Sequence, residues 1–201
     1  MTAEAQLKRK YTVEEYCELL LNSDERFEYF DGEIVSMAGG KVAHGRIAVD
    51  IARLLGNLLE GGPCEVFDGD TAIKTVRALP FRYPDASVVC GEARIESLNG
   101  IDMLLNPLFI CEVLSPRTES YDQGEKFLAY QAIESFREYL LVAQARPHVI
   151  HYVRQPGGLW LRADIIGLAS SVALESLSVT LPLSQIYRRV NFPAAAAEPF
   201  V

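Results

Sequence analysis

Two acidic residues, Asp85 and Glu112, stand where a strand-forming sequence gives little reason for a charge. Asp85 follows Pro84 and opens the strand-like run DASVVC, whereas Glu112 lies in the middle of the apolar run FICEVL. Side chains alternate along a strand, so Glu112 shares its face with Ile110 and Leu114. A carboxylate buried there is costly unless a cation or several hydrogen-bond donors compensate it. Two carboxylates on neighbouring strands would offer hard oxygen ligands to Mg²⁺ or Mn²⁺, and such an ion can activate a water molecule.

A purely structural role is the alternative for both acids. Glu112 could be satisfied by an arginine or by backbone amides, and Asp85 could cap the start of its strand. The stretch that follows Glu112, LSPRTESYDQGEKFLAYQ, favours chemistry because it carries Lys126 near the first turns of the next helix. From there Lys126 can point back at the strand end. A lysine beside a scissile phosphate can lower the pKa of the attacking water and stabilise the developing negative charge.

The elements that must position these residues follow from hydrophobic periodicity. Thr12 and Glu15 fit a capping box that begins a first helix, and RFEYFDGEIVSMAG is typical of a hairpin that turns at Asp31 and Gly32. HGRIAVDIARLLGNLLEGG predicts a second helix with one apolar stripe. Short β-branched and aromatic runs then predict strands between Cys64 and Leu114, followed by a helix from about Tyr121 to Ile133 and the strands REYLLVA and HVIHYVRQ. This order predicts an α/β fold with a central mixed β-sheet flanked by helices.

Composition predicts one packed domain. The chain has 201 residues, of which 49 % are apolar, and we expect a single domain over residues 1–190 with a flexible C-terminal tail over 191–201. Apolar runs are too short to span a bilayer, and the start lacks the apolar segment of a secretory signal. The four cysteines lie far apart without a CxxC pair, so we expect reduced, buried thiols in a cytoplasmic protein.

The net charge of −8 argues against tight, nonspecific binding to nucleic acid, which usually needs a basic surface. Part of the excess could be carboxylates that hold a cation. The available cations are scattered along the chain. Arg46 and Arg53 lie seven residues apart on the second predicted helix, so they could track a phosphate backbone, although a solvated surface role is the commoner explanation for such a pair.

Five segments together resemble a known family: RFEYFDGEIVSMAG, HGRIAVDIARLL, YPDASVV, EVLSPRTESYDQGEKFLAYQ and EYLLV. The chain resembles the Uma-type restriction endonucleases, a domain-of-unknown-function group within the PD-(D/E)XK nuclease superfamily. The resemblance covers about residues 11–190, and its most specific block is EVLSP…GEK. It implies a restriction-endonuclease-like α/β core with a divalent-metal site.

The resemblance assigns a role to four residues. Asp85 matches the superfamily's PD aspartate, Glu112 its second acid, and Glu28 the acidic position in the family's first hairpin. Lys126 matches a lysine that this family places on the helix. The chain departs from the superfamily at Leu114, because the lysine usually sits two residues after the second acid. Either Lys126 has taken that role from the helix, or efficient cleavage has been lost; we favour the first.

Three further residues are candidates for contact with a phosphate. His44 precedes the apolar stripe of the second helix, where a cap or first-turn role is the commoner alternative to contact with a phosphate. Arg46 lies two residues beyond it, and Gln131 follows Lys126 on the later helix as a candidate for orienting a metal-bound water. For Glu28, a surface ion pair with Arg26 is the alternative.

These observations predict hydrolysis of DNA phosphodiester bonds with Mg²⁺ or Mn²⁺ as cofactor, by a homodimer because duplex cutting needs two sites. One rival is a catalytically weak or inactive module that keeps the fold for binding or assembly, which the charge and Leu114 favour. A second rival is a phosphoesterase that acts on RNA or on small phosphate esters.

Overall fold

A computed structural model of the chain describes residues 9–23, 27–30, 32–36, 41–75 and 81–192, with the backbone alone for residues 28, 30, 35 and 36. The helices are α1 (Val13–Leu21), α2 (Val42–Leu59), α3 (Glu119–Tyr121), α4 (Phe127–Gln131) and α5 (Leu183–Ile186), with a π-helical segment (Asp122–Lys126) and a 3-10 turn (Glu175–Leu177). The strands are β1 (Phe27–Phe30), β2 (Glu33–Ser36), β3 (Cys64–Asp68), β4 (Ala72–Lys74), β5 (Phe81–Arg82), β6 (Ala86–Cys90), β7 (Ile95–Leu98), β8 (Ile101–Leu104), β9 (Phe109–Leu114), β10 (Glu138–Ala143), β11 (His148–Arg154), β12 (Trp160–Ile166), β13 (Ser171–Leu174) and β14 (Val179–Pro182).

The central sheet has six strands in the order β12-β11-β10-β9-β6-β3. β9 and β10 run parallel, and the other neighbours in this sheet run antiparallel. The predicted mixed sheet of an α/β fold is therefore confirmed. A second sheet has the order β5-β4-β8-β7, and two hairpins pair β1 with β2 and β13 with β14.

Strand β9 shows how the chain covers both faces of the central sheet. Phe109, Cys111 and Val113 point into a core shared with α2 and α5. Ile110 and Leu114 point into a second core, formed with α4 and the residues after it. This alternation is the predicted one, and it places Glu112 on the α4 side of the sheet.

Local signals placed the helix ends well. The Thr12 hydroxyl accepts a hydrogen bond from the Glu15 amide at 3.2 Å, and the Glu15 carboxylate accepts one from the Thr12 amide at 2.9 Å, which confirms the capping box. The helix predicted from about Tyr121 begins earlier, at Glu119, and contains the π-helical segment. Phe127, Tyr130 and Ile133 recur at helical spacing and are buried.

The expectation of four reduced thiols is wrong for Cys64 and Cys90, which form a disulfide in this structure. They are 26 residues apart in sequence, but they lie directly opposite each other in the register of β3 and β6. Spacing along the chain could not reveal this, because the register comes from long-range strand pairing. Cys17 and Cys111 are free and buried.

Two further expectations concern the C-terminal tail and the absence of a membrane span. The ring of Phe192 packs against Tyr187 with 5.2 Å between centroids, whereas residues 193–201 lie outside the described part, so the flexible tail stays a prediction. Among the described helices, none combines the length and apolar composition needed to cross a bilayer.

Candidate active site

Asp85 and Glu112 come from adjacent antiparallel strands. Ala86 of β6 pairs with Cys111 of β9, so continuing this register by one residue brings Asp85 opposite Glu112. The Asp85 amide donates to the Cys111 carbonyl at 3.1 Å, and one carboxylate oxygen of Asp85 accepts from the Val113 amide at 2.6 Å. Asp85 is thus fixed against the backbone on both sides of Glu112.

Glu112 is buried and has a protein donor on each carboxylate oxygen. Its side chain is only 4 % exposed; Lys126 Nζ lies 2.9 Å from Oε2, and the Tyr130 hydroxyl donates to Oε1 at 3.1 Å. Burial raises the pKa of Glu112 well above its ordinary value; the nearby charge of Lys126 lowers it, and the neighbouring Asp122 and Asp85 raise it further. The carboxyl group is therefore held in an environment where ionisation depends on a nearby cation.

Lys126 links Glu112 to the rest of the cluster. Its ammonium group is 3.5 Å from Asp122 Oδ1 and donates to the Tyr83 carbonyl at 3.3 Å, two residues before Asp85. Asp122 and Lys126 are the first and last residues of the π-helical segment, and both are buried. Such segments are frequent at functional sites, and here the segment sets both charged groups beside the strand end. A single buried ammonium group thus lies between two buried carboxyl groups.

His44 joins this cluster from α2. Its Nε2 atom lies 2.9 Å from Asp85 Oδ1, so the other side of the Asp85 carboxylate is occupied as well. The hydrogen bond to Asp85 is the main cause that raises the pKa of His44. Burial alone would raise the pKa of Asp85, but the hydrogen bond and charge of His44, the Val113 amide and Lys126 together lower it. Asp85 is therefore the carboxylate that stays ionised in this pair.

We expect His44→Asn to lower stability in a pH-dependent way. The raised pKa of His44 means that its ionised form stabilises the fold below pH 6.5, and that this contribution is lost as the pH rises through the folded-state pKa. The side chains are partly exposed, so the loss near pH 5.5 should be about 1 kcal/mol, shrinking towards alkaline pH. Urea unfolding of both proteins from pH 5 to pH 9 measures the difference. A difference that is constant over this range would contradict the ion pair.

The remaining sequence candidates lie elsewhere or outside the described side chains. Arg46 donates to the Arg189 carbonyl at 2.9 Å, three residues beyond the end of α5. Gln131 ends α4, and the described residues show no hydrogen bond between its amide and the cluster. Glu28 belongs to β1, opposite Val35, but its side chain is outside the described part of the structure. The roles given to these three residues therefore stay predictions.

Three members of the site were missed from the sequence. Asp122 lies four residues before Lys126, a spacing that places two side chains together on a helix and could have signalled the pair. Tyr130 fits the apolar periodicity of its helix, and its hydroxyl also donates to Glu112. Arg82 was given no role from the sequence, yet it is buried. Burial raises the pKa of Tyr130 well above its ordinary value, and the nearby positive charge of Arg82 opposes that increase.

The oxygens of this cluster suit one kind of metal site. No group of three or more His, Cys, Asp or Glu side chains converges on a common point among the described residues, so a closed cage of protein ligands is not present there. Mg²⁺ does not need such a cage, because it keeps several waters and takes one or two carboxylates. Asp85 and Glu112 provide two carboxylates at a strand end, and this donor set fits a hard divalent cation.

One protein family and two individual proteins match most of this chain. A family profile described as "Uma2: Putative restriction endonuclease" matches residues 13–186. Two proteins of Synechocystis sp. are similar over most of their lengths. "Uncharacterized protein slr1290" is 35% identical over 185 residues, covering 91% of this chain and 94% of its own. "Uncharacterized protein sll1609" is 28% identical over 168 residues, covering 84% and 94%.

A solved structure shares the fold. The crystal structure of "a putative nuclease belonging to DUF820" from Anabaena variabilis superposes with a TM-score of 0.68 at 16% identity. The match covers 88% of this chain and 97% of that chain. At this level of identity the similarity establishes the common architecture.

Proposed function

Because the chain belongs to the Uma2 family of restriction-endonuclease-like proteins, we propose that it is a metal-dependent endonuclease that hydrolyses DNA phosphodiester bonds at the cluster of Asp85, Glu112 and Lys126. One observation carries this proposal: the ammonium group of Lys126 lies 2.9 Å from the buried carboxyl group of Glu112. The superfamily's usual lysine position is occupied by Leu114, which is buried in the α4-side core. Lys126 supplies the missing cation from the helix.

Asp85 and Glu112 would hold Mg²⁺ or Mn²⁺, with Glu28 proposed as a third acid from the first hairpin. The bound ion would polarise the scissile phosphate and lower the pKa of a water molecule. His44 and the Val113 amide orient the Asp85 carboxylate and keep it ionised, and the Tyr130 hydroxyl fixes Glu112. Lys126 would position the attacking water and stabilise the negative charge that develops on the phosphate oxygens. Arg46 and Gln131 stay candidates for contact with the DNA backbone.

Binding of Mn²⁺ should raise the melting temperature, and Glu112→Ala should abolish the increase. A ligand that binds the folded state alone stabilises it by about 2.7 kcal/mol at a hundredfold excess over its dissociation constant. Differential scanning fluorimetry with a Mn²⁺ titration measures the effect. Glu65→Ala is the matched control, because Glu65 is an exposed glutamate of β3 in the same sheet, and it should keep the full shift. An unchanged Mn²⁺ shift in Glu112→Ala would place metal binding elsewhere.

The substrate class is tested by offering supercoiled plasmid, single-stranded RNA and nitrophenyl phosphate side by side with Mg²⁺ or Mn²⁺. Nicked or linear plasmid supports the proposed endonuclease. Hydrolysis of RNA or of the small ester alone would support a phosphoesterase instead. Binding of DNA without turnover in any of these assays would support a module that has kept the fold without the chemistry.

The proposed substrate has two consequences for the whole molecule. Cutting both strands of a duplex requires two active sites, so we propose a homodimer. We propose a cytoplasmic location, where the protein would have access to cellular DNA. In that compartment the Cys64–Cys90 disulfide is subject to reduction.

A further inference from the structure

Strand β12 forms one edge of the six-stranded sheet. It pairs with β11 over seven residues in an uninterrupted register, and no described strand pairs with its other side. Natural edge strands are often protected by a proline, a bulge or a charged side chain, above all lysine; WLRADII has no proline, lysine or bulge, and its charges are one Arg and one Asp of opposite sign. Large apolar side chains are exposed on the strand and on both flanking turns: Leu159, Leu161, Ile166 and Leu168. This edge is therefore open to pairing with another strand.

The hydrogen bonds at both ends of the β11–β12 pair show which backbone groups are directed outward. Gln155 N donates to Leu159 O at one end, and Gly167 N donates to Pro147 O at the other. In an antiparallel pair, residues that exchange hydrogen bonds alternate with residues that do not. The odd-numbered residues of β12 therefore bond to β11. The even-numbered residues direct their N–H and C=O groups away from the sheet: Trp160, Arg162, Asp164 and Ile166. The outermost of these carbonyls, that of Ile166, already accepts from the Ser170 hydroxyl at 2.7 Å, so a second strand would share or replace that bond.

The sequence of β12 is complementary to itself about Ala163. When two copies of the strand run antiparallel with Ala163 at the two-fold axis, every outward-directed residue meets an outward-directed residue. Arg162 then faces Asp164 of the second copy, and the reverse pair is formed at the same time. The apolar residues also match, since Leu161 faces Ile165 and Trp160 faces Ile166. Opposite charges and apolar pairs stabilise directly opposed positions in antiparallel sheets.

Other registers lose this match. Centring the axis on Arg162 sets two guanidinium groups opposite each other, and centring it on Asp164 does the same with two carboxylates. Like charges at directly opposed positions are destabilising. If the pairing of the two strands is shifted by one residue, each even-numbered residue faces an odd-numbered residue. The backbone groups of the odd-numbered residues already bond to β11, so they cannot pair with the second strand. Among the neighbouring registers, the one centred on Ala163 alone satisfies both the backbone and the side chains.

We propose that β12 is the homodimer interface, where two copies join antiparallel about Ala163 to form one continuous twelve-stranded sheet. The inference rests on the proposed nuclease function only for the expectation that two sites act together; the strand pairing stands on the edge geometry and the side-chain pattern. An isologous contact of this kind closes on itself, so it yields dimers rather than filaments.

A cysteine scan of the strand tests the register. In Ala163→Cys the two new thiols are directly opposed at a non-hydrogen-bonded position, where Cα atoms lie about 4.5 Å apart and a disulfide can form. In the control, Leu161→Cys, the two thiols are four residues apart along the paired strands, about 13 Å. We expect mild oxidation to give a covalent dimer with Ala163→Cys alone. Equal cross-linking of both variants, or none with either, would overturn the proposal.

Charge reversal tests the same interface without a covalent bond. Arg162→Asp places two carboxylates on the outward side of the strand, and Asp164→Arg places two guanidinium groups there. Each variant alone should show a dimer dissociation constant at least about tenfold higher than that of the native chain, because both symmetric pairs become repulsive. A mixture of the two variants should recover a heterodimer of native affinity. Analytical ultracentrifugation measures these constants.

Mixing the Arg162→Asp and Asp164→Arg variants distinguishes a defect in the interface from a defect in the local structure of each chain. Asp164 also contacts His148 and Arg162 of its own chain, and a defect caused by losing those contacts would not be repaired by adding the other variant. A native chain that is monomeric at 100 times the concentration used for cleavage, or a mixture that stays monomeric, would overturn the proposed interface. The assays measure association alone, so their failure leaves the cleavage chemistry to be judged by the plasmid assay.

Discussion

Replacing Glu112 with glutamine is expected to lower the rate of plasmid cleavage by about a thousandfold or more. The substitution preserves the size of the side chain and keeps one of the two oxygens that accept from Lys126 and Tyr130, but it removes the negative charge that would bind the metal ion. Stabilisation of transition-state charge by a metal is worth several kcal/mol, and each 1.4 kcal/mol of barrier changes the rate about tenfold. Single-turnover cleavage of supercoiled plasmid with saturating Mg²⁺ measures the effect.

Glu112→Gln removes one charge of a buried ion pair, but Lys126 keeps the Asp122 carboxylate at 3.5 Å, so we expect the fold to tolerate this substitution better than Lys126→Met. Urea unfolding of the variant checks that lost activity reports chemistry rather than unfolding. The folded-state pKa of Glu112 is raised, which means that its protonated form stabilises the fold below about pH 4.5 and that this contribution is lost as the pH rises. At neutral pH the native carboxyl group therefore costs stability, and glutamine removes that cost. Glu65→Gln makes the same change at an exposed position of the central sheet and should cleave at the native rate. Native activity in Glu112→Gln would refute the proposed metal site.

Lys126→Met is expected to destabilise the protein by about 3–5 kcal/mol. The substitution leaves the carboxyl groups of Glu112 and Asp122 buried without the ammonium group that lies between them. Removing one partner of a buried ion pair costs this much because the remaining charge has lost its solvent and its partner. The free energy of unfolding in urea at pH 7.5 measures the loss. The same variant should also lack cleavage activity.

A double variant separates the ion pair from simple packing. In Glu112→Gln with Lys126→Met the unpaired charge at position 112 is absent, so we expect part of the lost stability to return. Lys74→Met is the matched control, because Lys74 and Glu96 form an ion pair with 35% and 46% exposed side chains. Breaking that surface pair should cost about 1 kcal/mol or less. Equal losses for Lys126→Met and Lys74→Met would show that the buried cluster is not held by charge.

The two acids of the proposed catalytic site lie in different electrostatic environments. Asp85 is kept ionised by His44 and a backbone amide, whereas Glu112 has a raised pKa and depends on a cation. Two carboxyl groups in different electrostatic environments are a common arrangement in enzyme sites, because each environment fits a separate role. In this chain the lysine that balances them comes from a π-helical segment rather than from the strand.

The sequence alone determined the elements and the two acids. Thr12 and Glu15 encode a helix start through neighbouring backbone groups, and strand alternation placed Glu112 on the same face as the apolar residues Ile110 and Leu114. These signals depend on residues close together in the chain, where the geometry of a single helix or strand fixes which side chains are neighbours. The single carboxylate in FICEVL was identified for the same reason: its apolar neighbours predict a buried strand, in which a charged side chain is unusual.

Only the tertiary structure decided which distant residues meet. His44 lies 41 residues before Asp85, and Lys126 lies 14 residues after Glu112, yet each is 2.9 Å from its partner. The pairing of Cys64 with Cys90 and the outward direction of alternate β12 residues likewise follow from strand register. Register and packing are set by the summed burial of whole faces rather than by any local pattern. Local sequence patterns therefore identified the two acids, and the tertiary structure determined which residues contact them.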